Sequence, residues 1–159
     1  AYEIMPSLVG SEMCIRDRVN KLGVPSFVFS REEFIAGVPI LEKLAEYDVC
    51  LIVLAGFMNK ISDVILQAFP GKIVNIHPAL LPKYGGKGMY GMHVHEAVVK
   101  AGERESGITI HYINEHYDEG AIIFQASCPV LPSDTPEEVA SKVHALEYAH
   151  YPHVIESLL

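Results

Sequence analysis

The sequence of 159 residues is poor in cysteine and in positive charge, and it has no long apolar run. Its cysteines, Cys14, Cys50 and Cys128, are odd in number, lie far apart and form no CxxC spacing. This pattern predicts free thiols in a reducing compartment, with Cys50 in the core. No apolar stretch reaches the roughly 18 residues that a membrane span needs, and no signal-peptide pattern is present, so we expect a cytoplasmic protein.

Basic residues are outnumbered by acidic ones, with 12 Lys and Arg against 20 Asp and Glu and a formal charge of −8. Such a balance disfavours nucleic acids and anionic membranes as partners. A phosphorylated small molecule stays compatible with it, because that ligand needs only a local anion site. The length suits one domain with a sizeable core.

The first 20 residues differ from the rest of the chain. The stretch 7–18 has neither helix nor strand periodicity, and it looks like the translation of a sequencing adapter. We therefore expect a non-native or irregular segment over residues 1–20 and a folded domain over residues 21–159. The alternative is an ordinary irregular N-terminal arm.

Strand and helix patterns alternate from residue 22 onward. We expect a strand at Pro25–Phe29, then a helix that is opened by the capping box Ser30–Glu33 and broken near Gly37–Pro39. The apolar, β-branched run Val49–Ala55 is typical of a central parallel strand. The further expected elements are a helix over 62–69, a strand over 72–76, a helix over 93–101, strands over 107–113 and 121–130, and a final helix capped within 133–138.

This alternation predicts an α/β fold, with a Rossmann-like, mostly parallel sheet and flanking helices. Ligands of such sheets bind outside the carboxyl ends of the strands, where Met58 and His77 would both emerge. The segment Lys83–Met92 contains Gly85, Gly86, Gly88 and Gly91, which predicts a mobile lid over that edge.

Two polar residues interrupt the apolar strand that ends at Pro78. Asn75 and His77 are two positions apart, so in a strand they point to the same face. An amide can donate to a developing oxyanion, and an imidazole can donate a hydrogen bond or move a proton. Taken alone, such a pair more commonly consists of polar residues that hydrogen-bond to the backbone at a strand end.

The stretch Asn75-Ile-His-Pro-Ala-Leu-Leu-Pro-Lys-Tyr84 resembles the signature of the folate-dependent formyltransferases. The resemblance runs from about Val24 to the C-terminus, and within the family it is strongest to the members that formylate glycinamide ribonucleotide in purine biosynthesis. The other stretches that carry it are Val53–Met58, His111–Gly120 and His144–Pro152. It implies a formyltransferase-type fold and transfer of a formyl group from 10-formyltetrahydrofolate to an amine.

Site residues follow from the same resemblance. It implies that Asn75, His77 and Asp118 are catalytic, with the Asp118 carboxylate stabilising a protonated His77. The residues implied in folate binding are Arg31, Met58, Asn59, Lys60, Ile61, Asn75, Asn114, Glu115, His116, Tyr117 and Asp118. Those implied in binding the ribonucleotide are His144, Ala145, Leu146 and Glu147. No metal is implied.

The sequence departs from the family at its N-terminus. The family binds the substrate phosphate in a Gly-rich turn after its first strand, and no such G-x-G-x-N pattern precedes Leu22. We therefore expect a truncated domain, with an exposed sheet edge through which it self-associates. The alternatives are a formyltetrahydrofolate hydrolase, a transferase with another acceptor, such as methionyl-tRNA or an amino sugar, and a non-catalytic folate-binding fragment.

Histidines outside the motifs invite other interpretations. His93 and His95 are two residues apart on an expected helix, so they would lie on different faces, and no third ligand is suitably spaced. We therefore expect no metal site. His111 lies in a strand beside the expected site, where it is either a supporting residue or a hydrogen-bonded core histidine.

Overall fold

The computed structural model describes Val19, residues 21–116 and residues 118–159. The expected irregular segment at residues 1–20 lies outside this part of the chain except for Val19, as does Cys14, so both interpretations stay predictions. The elements are α1 (Arg31–Ala36), α2 (Val38–Glu46), β1 (Ile52–Leu54), α3 (Asp63–Ala68), β2 (Ile73–His77), α4 (Met92–Lys100), β3 (Glu105–Tyr112), β4 (Ile122–Pro129) and α5 (Pro136–Ser157).

The strands form a four-stranded sheet in the order β1-β2-β3-β4. The α/β class with flanking helices is confirmed, and β1 and β2 pair in parallel as expected. The sheet of the described residues is mixed rather than mostly parallel, because β2 and β3 pair antiparallel and so do β3 and β4. A buried apolar run identifies a strand but carries no information on its direction, which the connections decide.

Each face of the sheet carries its own apolar core. The first core joins Ile52, Leu54 and Ile73 of the strands to Phe34, Ile40 and Ile65 of the helices α1 to α3. The second core joins Ile76, Ile108 and Ile110 to Val98 of α4 and to Val139 and Val143 of α5. Strand residues alternate between the two faces, so β2 contributes to both cores.

Local sequence signals place the breaks between helices correctly. Ser30 and Glu33 form the expected capping box at the start of α1. Gly37 then adopts a left-handed conformation with φ 74°, and Pro39 stands in the first turn of α2, so the expected break is confirmed. Thr135 and Glu138 form a second capping box, which begins α5 within the expected stretch.

Two expectations are wrong. Pro25–Phe29 is not a strand in the structure, although its apolar pattern is strand-like, because a strand also needs a hydrogen-bonded neighbour. Cys50 is exposed rather than part of the core. The strand β1 covers only part of the apolar run 49–55, and Cys50 lies before its first residue, Ile52.

Tyr151 fastens α5 to the carboxyl ends of the parallel strands. Its side chain is buried, and its hydroxyl donates to the Leu54 carbonyl oxygen at 2.7 Å. The Val74 carbonyl oxygen lies 3.4 Å from the same hydroxyl. Burial also raises the pKa of Tyr151, so the hydroxyl keeps its proton and remains a donor. The last helix is therefore fixed at the edge where ligands of such sheets bind.

Candidate active site

A block of polar side chains lies on one face of the sheet. Asn75 and His77 of β2 stand directly opposite His111 and Thr109 of β3. Opposed residues of an antiparallel pair share a face, and all four side chains are buried. We call these four residues the polar block. The intervening Ile76 and Ile110 point to the other face, into the second core.

His111 orients the amide of Asn75. The Tyr112 carbonyl oxygen can only accept, and it lies 3.0 Å from His111 Nδ1, so that nitrogen carries the hydrogen. Burial lowers the pKa of His111, outweighing Tyr112 and Asp118, which act to raise it. The ring is therefore neutral, and its bare Nε2 accepts from Asn75 Nδ2 at 3.4 Å. The alternative of a supporting role for His111 thus fits its position.

The rest of the Asn75 amide is available to a ligand. Only one of its two Nδ2 hydrogens is directed at His111. Among the described residues its Oδ1 is buried without a hydrogen-bond partner. An unpaired buried polar atom is costly unless something occupies the space beside it. The side chain can therefore present both a donor and an acceptor to a bound molecule.

The two ring nitrogens of His77 face different groups. Nε2 lies 2.8 Å from the Tyr84 carbonyl oxygen, and because a carbonyl only accepts, Nε2 carries a hydrogen and donates it. Nδ1 lies 3.7 Å from Oδ2 of Asp118, which makes an ion pair when the ring is protonated. The nitrogen that can gain or lose a proton is therefore Nδ1, on the side of Asp118.

Asp118 is held by the connection between β3 and β4. Its backbone is left-handed with φ 55°, a conformation that Asp tolerates better than most residues. Its Oδ2 accepts from the Gly86 backbone N–H at 2.8 Å, and its Oδ1 lies 3.7 Å from His111 Nε2. The expected lid segment therefore touches both acid and imidazole, through Gly86 and Tyr84.

Sequence reasoning missed Thr109 and Gln125. The Thr109 hydroxyl donates to the Ala79 carbonyl oxygen at 2.7 Å and accepts from the Leu81 N–H at 2.9 Å. Gln125 Nε2 donates to the same hydroxyl oxygen at 2.8 Å. These bonds fix the chain that follows His77. The alternation Thr109-Ile-His111, which repeats Asn75-Ile-His77, is the sequence signal that could have identified the opposed strand.

The first segment expected in folate binding follows β1. Because β1 and β2 are parallel, this segment begins at the edge where β2 ends at His77, as expected. Met58, Asn59 and Lys60 are all exposed. Ile61 is instead buried in the first core. The described contacts do not connect Arg31, on the exposed first turn of α1, to the polar block.

The second such segment is the connection after β3. Asn114 Oδ1 accepts from the His116 N–H at 2.9 Å, an Asx turn that orders its beginning. Glu115 and His116 are exposed. Tyr117 lies outside the described residues. Of this segment, the structure brings Asp118 to the polar block.

The residues expected to bind the ribonucleotide lie on α5. His144 and Ala145 are exposed, whereas Leu146 packs against the second core. Burial raises the pKa of Glu147, and a protonated His144 acts in the opposite direction. Glu147 precedes Tyr151 by one helical turn, and Tyr151 reaches the end of β1. This turn of α5 therefore ends, at Tyr151, next to the strand ends.

His95 lies between that helix and the polar block. It is buried, with its Nδ1 lacking a partner among the described residues, and its ring centroid is 6.4 Å from that of His144. Burial lowers its pKa, and the charges of His144 and His77 lower it further. His93 is exposed, so the two histidines do lie on different faces of α4. Within the described ranges, no group of three His, Cys, Asp or Glu residues could hold a metal ion.

His77 and His111 both lie close to the Asp118 carboxylate, and His111 also contacts Asn75. His77 Nδ1 and the Asp118 carboxylate are 3.7 Å apart, longer than a direct hydrogen bond, and the Asn75 amide lies beside His111 next to the same carboxylate. A donor for an oxyanion, a proton carrier and a fixed negative charge are thus together. That combination suits reactions at a carbonyl carbon.

Known proteins are similar to this chain in both sequence and fold. The family described as Formyl transferase matches residues 11–155. The chain belongs to the formyl transferase family. The chloroplastic phosphoribosylglycinamide formyltransferase of Arabidopsis thaliana is 42% identical over 141 residues, which are 86% of this chain and 48% of that protein. The Bacillus subtilis enzyme of that name is 39% identical over 147 residues, 90% of this chain and 73% of that protein.

Solved structures of the family agree with this assignment. Glycinamide ribonucleotide transformylase 1 of Geobacillus kaustophilus superposes with a TM-score of 0.82 at 36% identity, over 91% of this chain and 77% of that one. A formyltetrahydrofolate deformylase of Pseudomonas syringae pv. tomato superposes with a TM-score of 0.78 over 91% of this chain and 48% of that one. Its identity is 19%, so it shows the shared fold alone. This formyl transferase chain spans about half the length of the plant relatives that it matches.

Proposed function

We propose that this chain carries the formyl-transfer site of a phosphoribosylglycinamide formyltransferase. The observation that carries the proposal is the set of contacts that joins the Asn75 amide, through His111, to the Asp118 carboxylate, and that carboxylate to His77 Nδ1. The names of relatives at about 40% identity support glycinamide ribonucleotide as the acceptor. The expected donor is 10-formyltetrahydrofolate, a co-substrate used by this family.

The chemistry follows from the positions of the three groups. The amine nitrogen attacks the formyl carbon, so a C–N bond forms and the carbonyl oxygen becomes an oxyanion. The free hydrogen of Asn75 Nδ2 and a protonated His77 Nδ1 stabilise that charge. The carbon–nitrogen bond to the folate then breaks, the folate nitrogen gains a proton and the new amide loses one. Asp118 keeps His77 Nδ1 oriented and stabilises the imidazolium while the proton moves.

The remaining site residues are proposed from position and resemblance. The loop after β1, residues Met58 to Ile61, and the connection from Asn114 to Asp118 would enclose the folate ring system. Arg31 would meet the far end of the folate. Glu147, with His144 to Leu146, would meet the ribonucleotide on the α5 side. Burial raises the pKa of Glu147.

A transfer assay tests the proposal directly. The purified chain is supplied with 10-formyltetrahydrofolate and glycinamide ribonucleotide, with a parallel reaction that omits the ribonucleotide. We expect formyl transfer that depends on the ribonucleotide and falls by about 100-fold or more in Asn75→Ala and in His77→Ala. The matched control is His153→Ala, because His153 is an exposed histidine of α5 that pairs with Glu156.

Other outcomes of the same assay reject parts of the proposal. Release of formate without the ribonucleotide would identify water as the acceptor and make the chain a hydrolase. Binding of a folate analogue with no turnover in either reaction would mean that these 159 residues hold a folate but do not catalyse. Equal loss of activity in His153→Ala would show that the effect of His77→Ala is not specific.

A further inference from the structure

We propose that Glu103 is a positioning residue for His77, acting through Tyr84. The inference rests on the proposed function, because it concerns how the imidazole of that site is oriented. Glu103 lies in the turn between α4 and β3, outside the four quoted motif stretches, which are 53–58, 75–84, 111–120 and 144–152. Its contacts lead in two steps to the nitrogen of His77 that faces away from Asp118.

The first step joins Glu103 to the lid segment. Glu103 Oε1 accepts from the Tyr84 hydroxyl at 3.0 Å and from Lys83 Nζ at 2.9 Å. Its Oε2 lies 3.2 Å from the same Lys83 nitrogen. These bonds lower the pKa of Glu103, so the carboxylate is ionised and accepts strongly. We call Lys83, Tyr84 and Glu103 the latch.

The second step joins the latch to His77. The Tyr84 carbonyl oxygen accepts from His77 Nε2 at 2.8 Å. An imidazole that donates from one nitrogen to a backbone carbonyl has its tautomer and ring orientation fixed by that bond. The neutral ring then holds its lone pair on Nδ1, towards Asp118, where a proton can be taken up or given.

The backbone conformation of Tyr84 indicates that surrounding contacts hold this residue in place. Tyr84 has φ 56°, in the left-handed region that a bulky residue rarely adopts. Such a conformation costs free energy and persists only where surrounding contacts hold it. The hydroxyl is held by Glu103 and the ring packs against the second core, so both ends of the side chain fix the direction of the carbonyl.

The same segment also meets the acid of the site. The Gly86 N–H donates to Asp118 Oδ2 at 2.8 Å, two residues after Tyr84. Releasing Tyr84 should therefore disturb the backbone contact to Asp118 together with the contact to His77. Replacing a residue with only a surface role would change neither the contact to Asp118 nor the contact to His77. Exposed Lys–Glu pairs usually contribute little to stability, so the latch is better explained by orientation than by folding.

Nitrogen-15 NMR of the histidine side chains tests the proposal. At about pH 8, above the ordinary range of histidine, neutral rings show one protonated and one bare nitrogen. The His77 signals are identified as those lost in His77→Gln. We expect a single Nε2–H form in the unsubstituted chain. In Glu103→Ala and Tyr84→Phe the two nitrogen signals should move towards each other, because both tautomers become populated, and the Gly86 amide signal should shift.

Controls separate orientation from general damage. Glu46→Gln removes the charge of another exposed Lys–Glu pair, with Lys43, and should leave the His77 and Gly86 signals unchanged. Glu103→Gln keeps an acceptor for the Tyr84 hydroxyl and should give a smaller shift than Glu103→Ala. If Glu103→Ala does not fold, Tyr84→Phe, which loses only a hydroxyl, decides the question.

The proposal is overturned if His77 keeps its single Nε2–H form in a folded Glu103→Ala and in Tyr84→Phe. It is overturned equally if Glu46→Gln moves the signals as much. The readout is independent of catalysis, so a chain without formyl transfer would contradict the proposed function and leave this test intact.

Discussion

At the scale of single residues, the site depends on which nitrogen of each histidine carries a hydrogen. His111 donates through Nδ1 to Tyr112, and His77 donates through Nε2 to Tyr84. The nitrogen without a hydrogen is therefore Nε2 in His111, which faces Asn75, and Nδ1 in neutral His77, which faces Asp118. Backbone carbonyl oxygens accept the hydrogen in both cases, and for His77 we propose that the latch holds that carbonyl in place.

Tyr151 allows a test of a single hydroxyl. Tyr151→Phe leaves the Leu54 carbonyl oxygen without its donor while keeping the ring in the core. We expect a loss of about 1–3 kcal/mol in the free energy of unfolding, measured by urea denaturation. Tyr148→Phe is the control, because Tyr148 is 81% exposed and should change stability by less than about 0.5 kcal/mol. Equal effects of the two substitutions would contradict the structural role given to Tyr151.

Single residues differed in how far their sequence context revealed them. Asn75 and His77 could be found because strand alternation places them side by side, and the structure brings them together with Asp118. Gln125 and Glu103 could not be found in this way, because their partners lie 16 to 44 positions away and nothing in the local pattern distinguishes them from surface polar residues. The alternation Thr109-Ile-His111 could have indicated the strand of Thr109, but not the partners of its hydroxyl in the chain after His77.

At the scale of elements, the connection between β3 and β4 decides where Asp118 lies. Gly120 approaches the backbone of β3 so closely that an added Cβ would be 1.6 Å from the Tyr112 carbonyl oxygen. Tyr112 O is also the acceptor of His111 Nδ1. The path of this connection is therefore coupled to the orientation of His111 and, through it, to Asn75.

Gly120→Ala should consequently be severe. The clash involves backbone, which cannot move aside cheaply, so we expect destabilisation of about 3 kcal/mol or failure to fold. Gly102→Ala is the matched control, since Gly102 has φ 64° and open space around it. That substitution should cost only about 1 kcal/mol for the left-handed backbone. Thermal unfolding of the two variants gives the comparison, and similar melting temperatures would contradict the steric argument.

The bounds of helices were predictable where a local sequence signal marks the first or last residue. The capping boxes at Ser30 and Thr135 and the break at Gly37 fall within the expected stretches, because caps are written in three or four neighbouring residues. Pro25–Phe29 has an equally clear apolar pattern but no strand neighbour in the structure. Pairing is a property of two segments, and a single segment does not reveal it.

At the scale of the whole molecule, β1 is an edge of the sheet in the described part of the chain. The Ile52 N–H donates to the Lys72 carbonyl oxygen on the β2 side. Because backbone groups alternate in direction along a strand, the N–H and C=O of Val53 face away from β2. The helices α1 to α3, which share the first core with β1, also expose the apolar residues Ile35, Val38 and Val64. Unpaired strand edges beside apolar surface favour association.

We therefore expect this chain to self-associate through the β1 edge. Sedimentation velocity in reducing buffer should show an average sedimentation coefficient that rises with protein concentration. Cys50→Lys places a charge on an exposed position at the start of this edge and should reduce the rise. Lys21→Gln, also at an exposed position, serves as the control for altered charge. A coefficient that stays constant over a wide concentration range would refute the expectation.

The expected cellular location remains a prediction. Among the helices of the described residues, none combines the length and the apolar character needed to cross a membrane.

The fold class was predictable from the alternation of strand and helix patterns, whereas the antiparallel half of the sheet was not. Composition and periodicity report burial, and the direction of a strand depends on connections that span tens of residues.

The alternation of polar-block and apolar side chains along β2 and β3 has a practical consequence for protein engineering. Ile76, Ile108 and Ile110 lie on the strands that carry the polar block, yet their side chains point into the second core. A combinatorial library limited to these three positions would sample heat tolerance while every reactive group stays in place. Selection for robustness and selection for altered chemistry could then proceed in separate rounds on the same two strands.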